Sequence, residues 1–69
     1  MTAIVEVKIN TPEDMVTFGN AIKQFDIEHL NVSSSYGYST VSYNCTKREL
    51  SRIRDFWRNT FDSCRVVAY

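Results

Sequence analysis

Two short stretches constrain this chain more than any others. Thr11-Pro12-Glu13-Asp14 and Thr46-Lys47-Arg48-Glu49 each have the chemistry of a helix start. A threonine hydroxyl at such a position accepts a bond from one of the first free amides. Proline suits the first helical position, where no amide bond is lost, and acids there face the positive end of the helix dipole. Glu49 stands three residues after Thr46, so it can reach back to the threonine amide and complete a reciprocal cap. Apolar residues then recur at helical spacing: Met15, Phe18, Ile22 and Phe25 after the first start, and Leu50, Ile53, Trp57 and Phe61 after the second. Helices are expected over 12–25 and 46–62. Gly19 inside the first costs about 1 kcal/mol relative to alanine and suggests close packing.

What lies between the starts alternates with period two. In residues 3–9, Ala3, Val5, Val7 and Ile9 oppose Ile4, Glu6 and Lys8, the pattern of a half-buried strand. Residues 27–33 set Leu30 and Val32 against His29 and Asn31. Ser33-Ser34-Ser35 is expected to turn, with Gly37 able to take part. Residues 36–43 are rich in tyrosine, threonine and valine, and Arg65–Tyr69 reads as a terminal strand. The order is strand, helix, strand, strand, helix, strand. Two interleaved strand-helix-strand units give a ferredoxin-like α+β sandwich: one antiparallel four-stranded sheet with both helices on one face. With 69 residues and no linker or repeat, one domain spanning 1–69 is expected.

Helices on one face leave the other open. The expected inward set is Val5, Val7, Ile9, Leu30, Val32, Val41 and Tyr43; the outward set is Ile4, Glu6, Lys8, His29, Asn31, Tyr36, Tyr38, Thr40 and Ser42. The last strand can face either way. With Val66 and Ala68 inward, Arg65, Val67 and Tyr69 join the open face.

The third strand, Tyr36-Gly37-Tyr38-Ser39-Thr40-Val41-Ser42-Tyr43, resembles the RNP1 strand of RNA-recognition motifs at Gly37, Tyr38, Val41 and Tyr43. Tyr36 replaces that pattern's basic residue and Thr40 its central aromatic. The resemblance implies a nucleic-acid face built on Tyr38, Thr40, Lys8, His29 and Arg65, with bases stacked on tyrosine. Glu6 on the same face opposes phosphate.

Eight basic and eight acidic side chains make the chain neutral, which weakens the case for a general nucleic-acid binder. The charge is unevenly spread. Residues 1–45 carry a net −3 and residues 46–69 a net +3, with six of the eight cations in the second segment. At 100° per residue Lys47, Arg54 and Arg58 fall within about 40° of one another, a basic ridge beside the apolar stripe. Phe56 lies at the stripe's other border, about 120° from Leu50, where partial burial is expected. Arginine and large aromatics dominate protein interfaces. Tyr36, Tyr38, Lys47, Arg54, Arg58 and Phe56 are therefore the candidate partner-binding residues.

Catalytic chemistry is sparse. His29 is the only histidine, no glycine-rich loop is present, and no cluster has metal-ligand spacing. Cys45 and Cys64 bracket a helix about 24 Å long, too far for a disulfide, which suits free thiols in a reducing cytoplasm. The first residues lack the pattern of a secretory leader, and no apolar run approaches a membrane span. The expectation is a small cytoplasmic interaction protein without enzymatic activity, cofactor or metal. It would inhibit or modulate an acidic protein partner, as accessory factors of phages or mobile elements do, and act as a homodimer. RNA binding is the alternative. A regulatory ligand module of the same architecture ranks below both, because Asn10-Thr11-Pro12 stands where such modules place loop glycines.

Overall fold

A computed structural model describes residues 1–69. The elements are β1 (Thr2–Lys8), α1 (Pro12–Gln24), β2 (His29–Ser35), β3 (Tyr38–Asn44), α2 (Lys47–Thr60) and β4 (Cys64–Ala68). The strands form one antiparallel sheet in the order β2-β3-β1-β4, the ferredoxin-like arrangement read from the sequence. No helix is long and apolar enough to cross a membrane.

Both helices begin at reciprocal caps. Thr46 Oγ1 accepts from the Glu49 amide at 3.2 Å, and Glu49 Oε1 accepts from the Thr46 amide at 2.9 Å. At the first helix Asp14 does what Glu49 does at the second. Its Oδ2 accepts from the amides of Asn10 and Thr11, while its own amide donates to Thr11 Oγ1. A shorter carboxylate thus closes a cap that the acidic pair Glu13-Asp14 only suggested.

The core lies between the sheet and the helices. Ala3, Val5 and Val7 of the central strand are wholly buried, as are Val41, Tyr43, Ile53 and Trp57. Trp57 lies among Phe18, Phe56 and Phe61, with ring centroids 5.4, 5.5 and 6.1 Å away. Its indole N–H donates to the Tyr43 hydroxyl at 3.2 Å, so the one large polar pair in the core is satisfied. Phe25 stacks on Phe56 at 4.4 Å and meets the edge of Tyr43 at 5.8 Å, tying the end of α1 to α2 and the sheet.

Several expectations need correction. Leu30 and Val32 are not core residues: they are 61% and 44% exposed, and every residue of β2 is exposed. Val32 does lie on the helix side, opposite Val41, but this outer strand lies beyond the cover of α1. An irregularity between His29 and Asn31 resets the alternation, pairing His29 with the inward-facing Tyr43. His29 therefore belongs to the helix side and not to the open face. Met15 is 43% exposed rather than part of the buried stripe, where Phe18 and Ala21 are the buried residues of α1.

The three serines do not turn. Ser33–Ser35 continue β2, and the chain reverses at Tyr36-Gly37, with Ser35 paired to Tyr38. Gly37 has φ +78° and no other residue has positive φ, so the left-handed position falls on the residue without a Cβ. Its carbonyl accepts from the Ile9 amide at 2.8 Å, fastening the turn to the end of β1. Tyr36, at the turn's tip, is fully exposed and outside the strands.

The last strand faces one way only. Val66 pairs with Val5, and Cys64, Val66 and Ala68 pack against the core, leaving Arg65, Val67 and Tyr69 on the open face. The Cys45 amide bonds to Met1, whereas Cys64 pairs with Val7 at the far end of β1. Six strand residues separate those places by about 20 Å, well beyond the roughly 7 Å limit for a disulfide.

Candidate functional site

The open face is built in rows by strand register. Across its middle run Ser33, Thr40, Glu6 and Arg65; one row is Asn31, Ser42, Ile4 and Val67, and the other sets Ser35 and Tyr38 beside Lys8. Tyr38, Thr40, Lys8 and Arg65 therefore do share this face, as expected. They do not form an aromatic platform, because Glu6 and Thr40 occupy the centre. Tyr69 is level with Thr2, six residues along β1 from the row of Tyr38, about 20 Å away. Tyr43, the other aromatic of the RNP1-like strand, is buried with its hydroxyl bonded to Trp57 and offers nothing to a base.

Two shallow hollows mark this face. One of about 270 Å³ is bounded by Glu6, Lys8, Tyr38, Ser63, Cys64 and Arg65. The other, about 310 Å³, is bounded by Ile4, Glu6, Arg65, Val67 and Tyr69. Glu6 and Arg65 border both and pair in register, yet no ion pair joins them within 4 Å. Burial pushes the Cys64 thiol above its ordinary value of 9.0, against the smaller opposing effect of Arg58. That favours the neutral thiol over a reactive thiolate.

The basic ridge has a different setting. Helix α2 presents two flanks beside its buried stripe of Leu50, Ile53 and Trp57. The flank toward α1 carries Phe56, stacked on Phe25, and Arg52, whose Nη2 meets Asp26 Oδ1 at 2.6 Å and whose guanidinium lies 5.9 Å from the Phe25 ring centre. The Arg52 hydrogen bond lowers the Asp26 carboxyl, and the pair raises Arg52 in turn, on an exposed surface. Phe56 is thus a helix-packing residue, half-buried between the helices rather than a free anchor for a partner.

Lys47, Arg54 and Arg58 occupy the opposite flank by helix angle, the side on which α2 lies against β4 and Arg58 acts on Cys64. Asp55 and Asp62 do not neutralise them: the only ion pair in the chain is Arg52–Asp26. The ridge therefore borders an edge strand. β4 pairs with β1 alone, so its other side presents unpaired amides and carbonyls. Arg65 projects from the same strand on the open side of the sheet. Four cations thus flank one free edge, three from the helix layer and one from the open face.

Pattern reading of single elements found the ridge but could not show that it borders a sheet edge, which depends on strand order. It also missed the aliphatic exposure at Met15, Val16, Leu30 and Val32, on the opposite side of the molecule. The only available signal was the position of Val16 and Gly19 off the buried stripe of α1. The chain matches no protein-family model, no curated protein and no solved structure.

Proposed function

We propose that this protein is a small non-enzymatic interaction module that docks an acidic protein segment along β4 and the adjoining flank of α2. An extended segment added to β4 would take main-chain hydrogen bonds from the free edge. Alternate side chains of that segment would point to opposite sheet faces, one row meeting Lys47, Arg54 and Arg58 and the other Arg65. The observation that carries this reading is the set of cations without carboxylate partners beside an unpaired strand. Such charges steer encounter and select the partner more than they set final affinity. Inhibition or modulation of a cytoplasmic partner, by an accessory factor of phage or mobile-element type, fits a chain whose functional groups lie on its surface. The same reading has the chain self-associate.

The test is affinity capture from the native cell with and without nuclease, comparing wild type with the Arg54→Glu, Arg58→Glu double variant. A nuclease-resistant protein that the double variant fails to retain supports the reading. Equal capture by both proteins overturns it. Recovery of RNA that is lost on Tyr38→Ala selects the open sheet face instead.

A further inference from the structure

The two free edges of the sheet have opposite chemistry. The β4 edge is cationic, whereas β2, His29–Ser35, contains no Lys, Arg, Asp, Glu or Pro, the residues that usually protect an edge from pairing. Four of the exposed large hydrophobics, Met15, Val16, Leu30 and Val32, belong to β2 and the helix beside it.

Helix α1 runs alongside this edge, placed by two contacts with the neighbouring β3. Ser39 Oγ donates to Met15 Sδ at 3.2 Å and lies 3.1 Å from Ser34 Oγ, so the start of α1 stands near the Ser34 end of β2. Phe25, just past the end of α1, meets Tyr43, the partner of His29, so the helix's end stands near the other end of β2. Midway along the helix, Gly19 and Asn20 are level with Val32, the middle residue of β2. Phe18 and Ala21 turn toward the core and α2, and Met15, Gly19 and Ile22 form the flank on the β2 side. A Cβ at Gly19 would meet nothing within 4 Å. This mid-helix glycine therefore has no packing reason within one copy.

We infer that the occupant of this edge is a second copy of the chain, with β2 pairing antiparallel to its own copy about a two-fold axis near Val32. An antiparallel pair of identical strands is inherently isologous, and the two sheets would join into one of eight strands. The charges agree with this occupant. No charged side chain of β2 meets its own copy. Reversal of α1 against its copy sets the first turn of each helix beside the last turn of the other, an antiparallel alignment of their dipoles. Pairing through β4 would instead bring Arg65 and the basic ridge against themselves. Gly19 then sits where the two α1 helices come nearest, and its missing side chain leaves room for the approach. The result is a dimer with one cationic edge at each end. This deepens the self-association proposed above; its failure leaves the docking reading standing, since capture by the basic ridge is measured separately.

Sedimentation equilibrium over a concentration series reads the claim. Wild type is expected to be a dimer at micromolar concentration. Gly19→Arg, which places its side chain in open space in a single copy, is expected to weaken dimerisation at least about tenfold (about 1.4 kcal/mol). Val32→Lys sets two like charges together near the axis and is expected to do the same. Arg48→Ala, on the exposed side of α2, should leave the dimer unchanged. Circular dichroism reports whether each variant is folded, and Val32→Lys decides the matter if Gly19→Arg is not. A wild-type monomer up to about 100 μM overturns the inference, as does a dimer that either folded variant leaves intact.

Discussion

Replacing Tyr43 by phenylalanine removes one oxygen from the centre of the core. The ring remains, so its edge contact with Phe25 at 5.8 Å is kept. What changes is the partner of Trp57, whose indole N–H donates 3.2 Å to that hydroxyl in a setting with no exposed surface on either residue. A buried donor left without an acceptor costs about 1–3 kcal/mol. A core of this size supplies only about 3–5 kcal/mol in total, so the substitution should remove about half of the stability at mid-range and no less than about a fifth. At about 4–8 °C per kcal/mol for a chain this short, Tm should fall on the order of 10 °C. Trp57 is the sole tryptophan, so urea unfolding followed by its fluorescence reports directly on the site. Adding Trp57→Phe completes a double-mutant cycle, read for all four proteins by circular dichroism because that substitution removes the only tryptophan; the two substitutions together should cost less than the sum of each alone. A Tyr43→Phe protein within about 0.5 kcal/mol of wild type, the range of an ordinary surface change, would refute the reasoning.

Two further predictions concern the turn and pH. Gly37→Ala forces a side chain into the φ +78° position and should destabilise by about 1–2 kcal/mol in urea titration, with Gly37→Asn less harmful; an alanine variant as stable as wild type would contradict the turn described here. Burial raises Tyr43 above its ordinary 10.0 and Cys64 above its ordinary 9.0. In the alkaline range the unfolded chain therefore loses protons that the folded chain keeps, so stability is fully present below the unfolded values and declines as pH rises past them. Urea midpoints should fall above about pH 9, and the decline should be shallower in Cys64→Ala; midpoints that rise there would reverse the sign of the argument.

The fold was legible because its signals are local. Each helix start is written in four residues, and β1 and β3 alternate cleanly because both are central strands with one buried face. The errors concentrate in β2. Its alternation of Leu30 and Val32 looks like that of a buried strand, yet burial depends on what covers a strand, and an edge position is a property of sheet order. The irregularity after His29 shifts parity without leaving a proline or glycine to announce it. Ser33-Ser34-Ser35 has turn composition, but Gly37 supplies the one left-handed residue, and so the turn moved and took Tyr36 out of the strand. At the candidate site the helical wheel groups Lys47, Arg54 and Arg58 on one flank of α2. It could not distinguish Phe56 as a free anchor from Phe56 stacked on Phe25, since that contact joins two elements distant in sequence.

The central claim is that the cationic β4–α2 edge takes an acidic extended segment. A short peptide alternating glutamate and valine, titrated into the isotopically labelled protein and followed by amide chemical shifts, tests it most directly. The predicted result is shifts confined to Cys64–Ala68 and the flank bearing Lys47, Arg54 and Arg58, weakened by salt and lost in the Arg54→Glu, Arg58→Glu variant. Shifts centred on Tyr38 and Lys8, or no shifts at millimolar peptide, would contradict it.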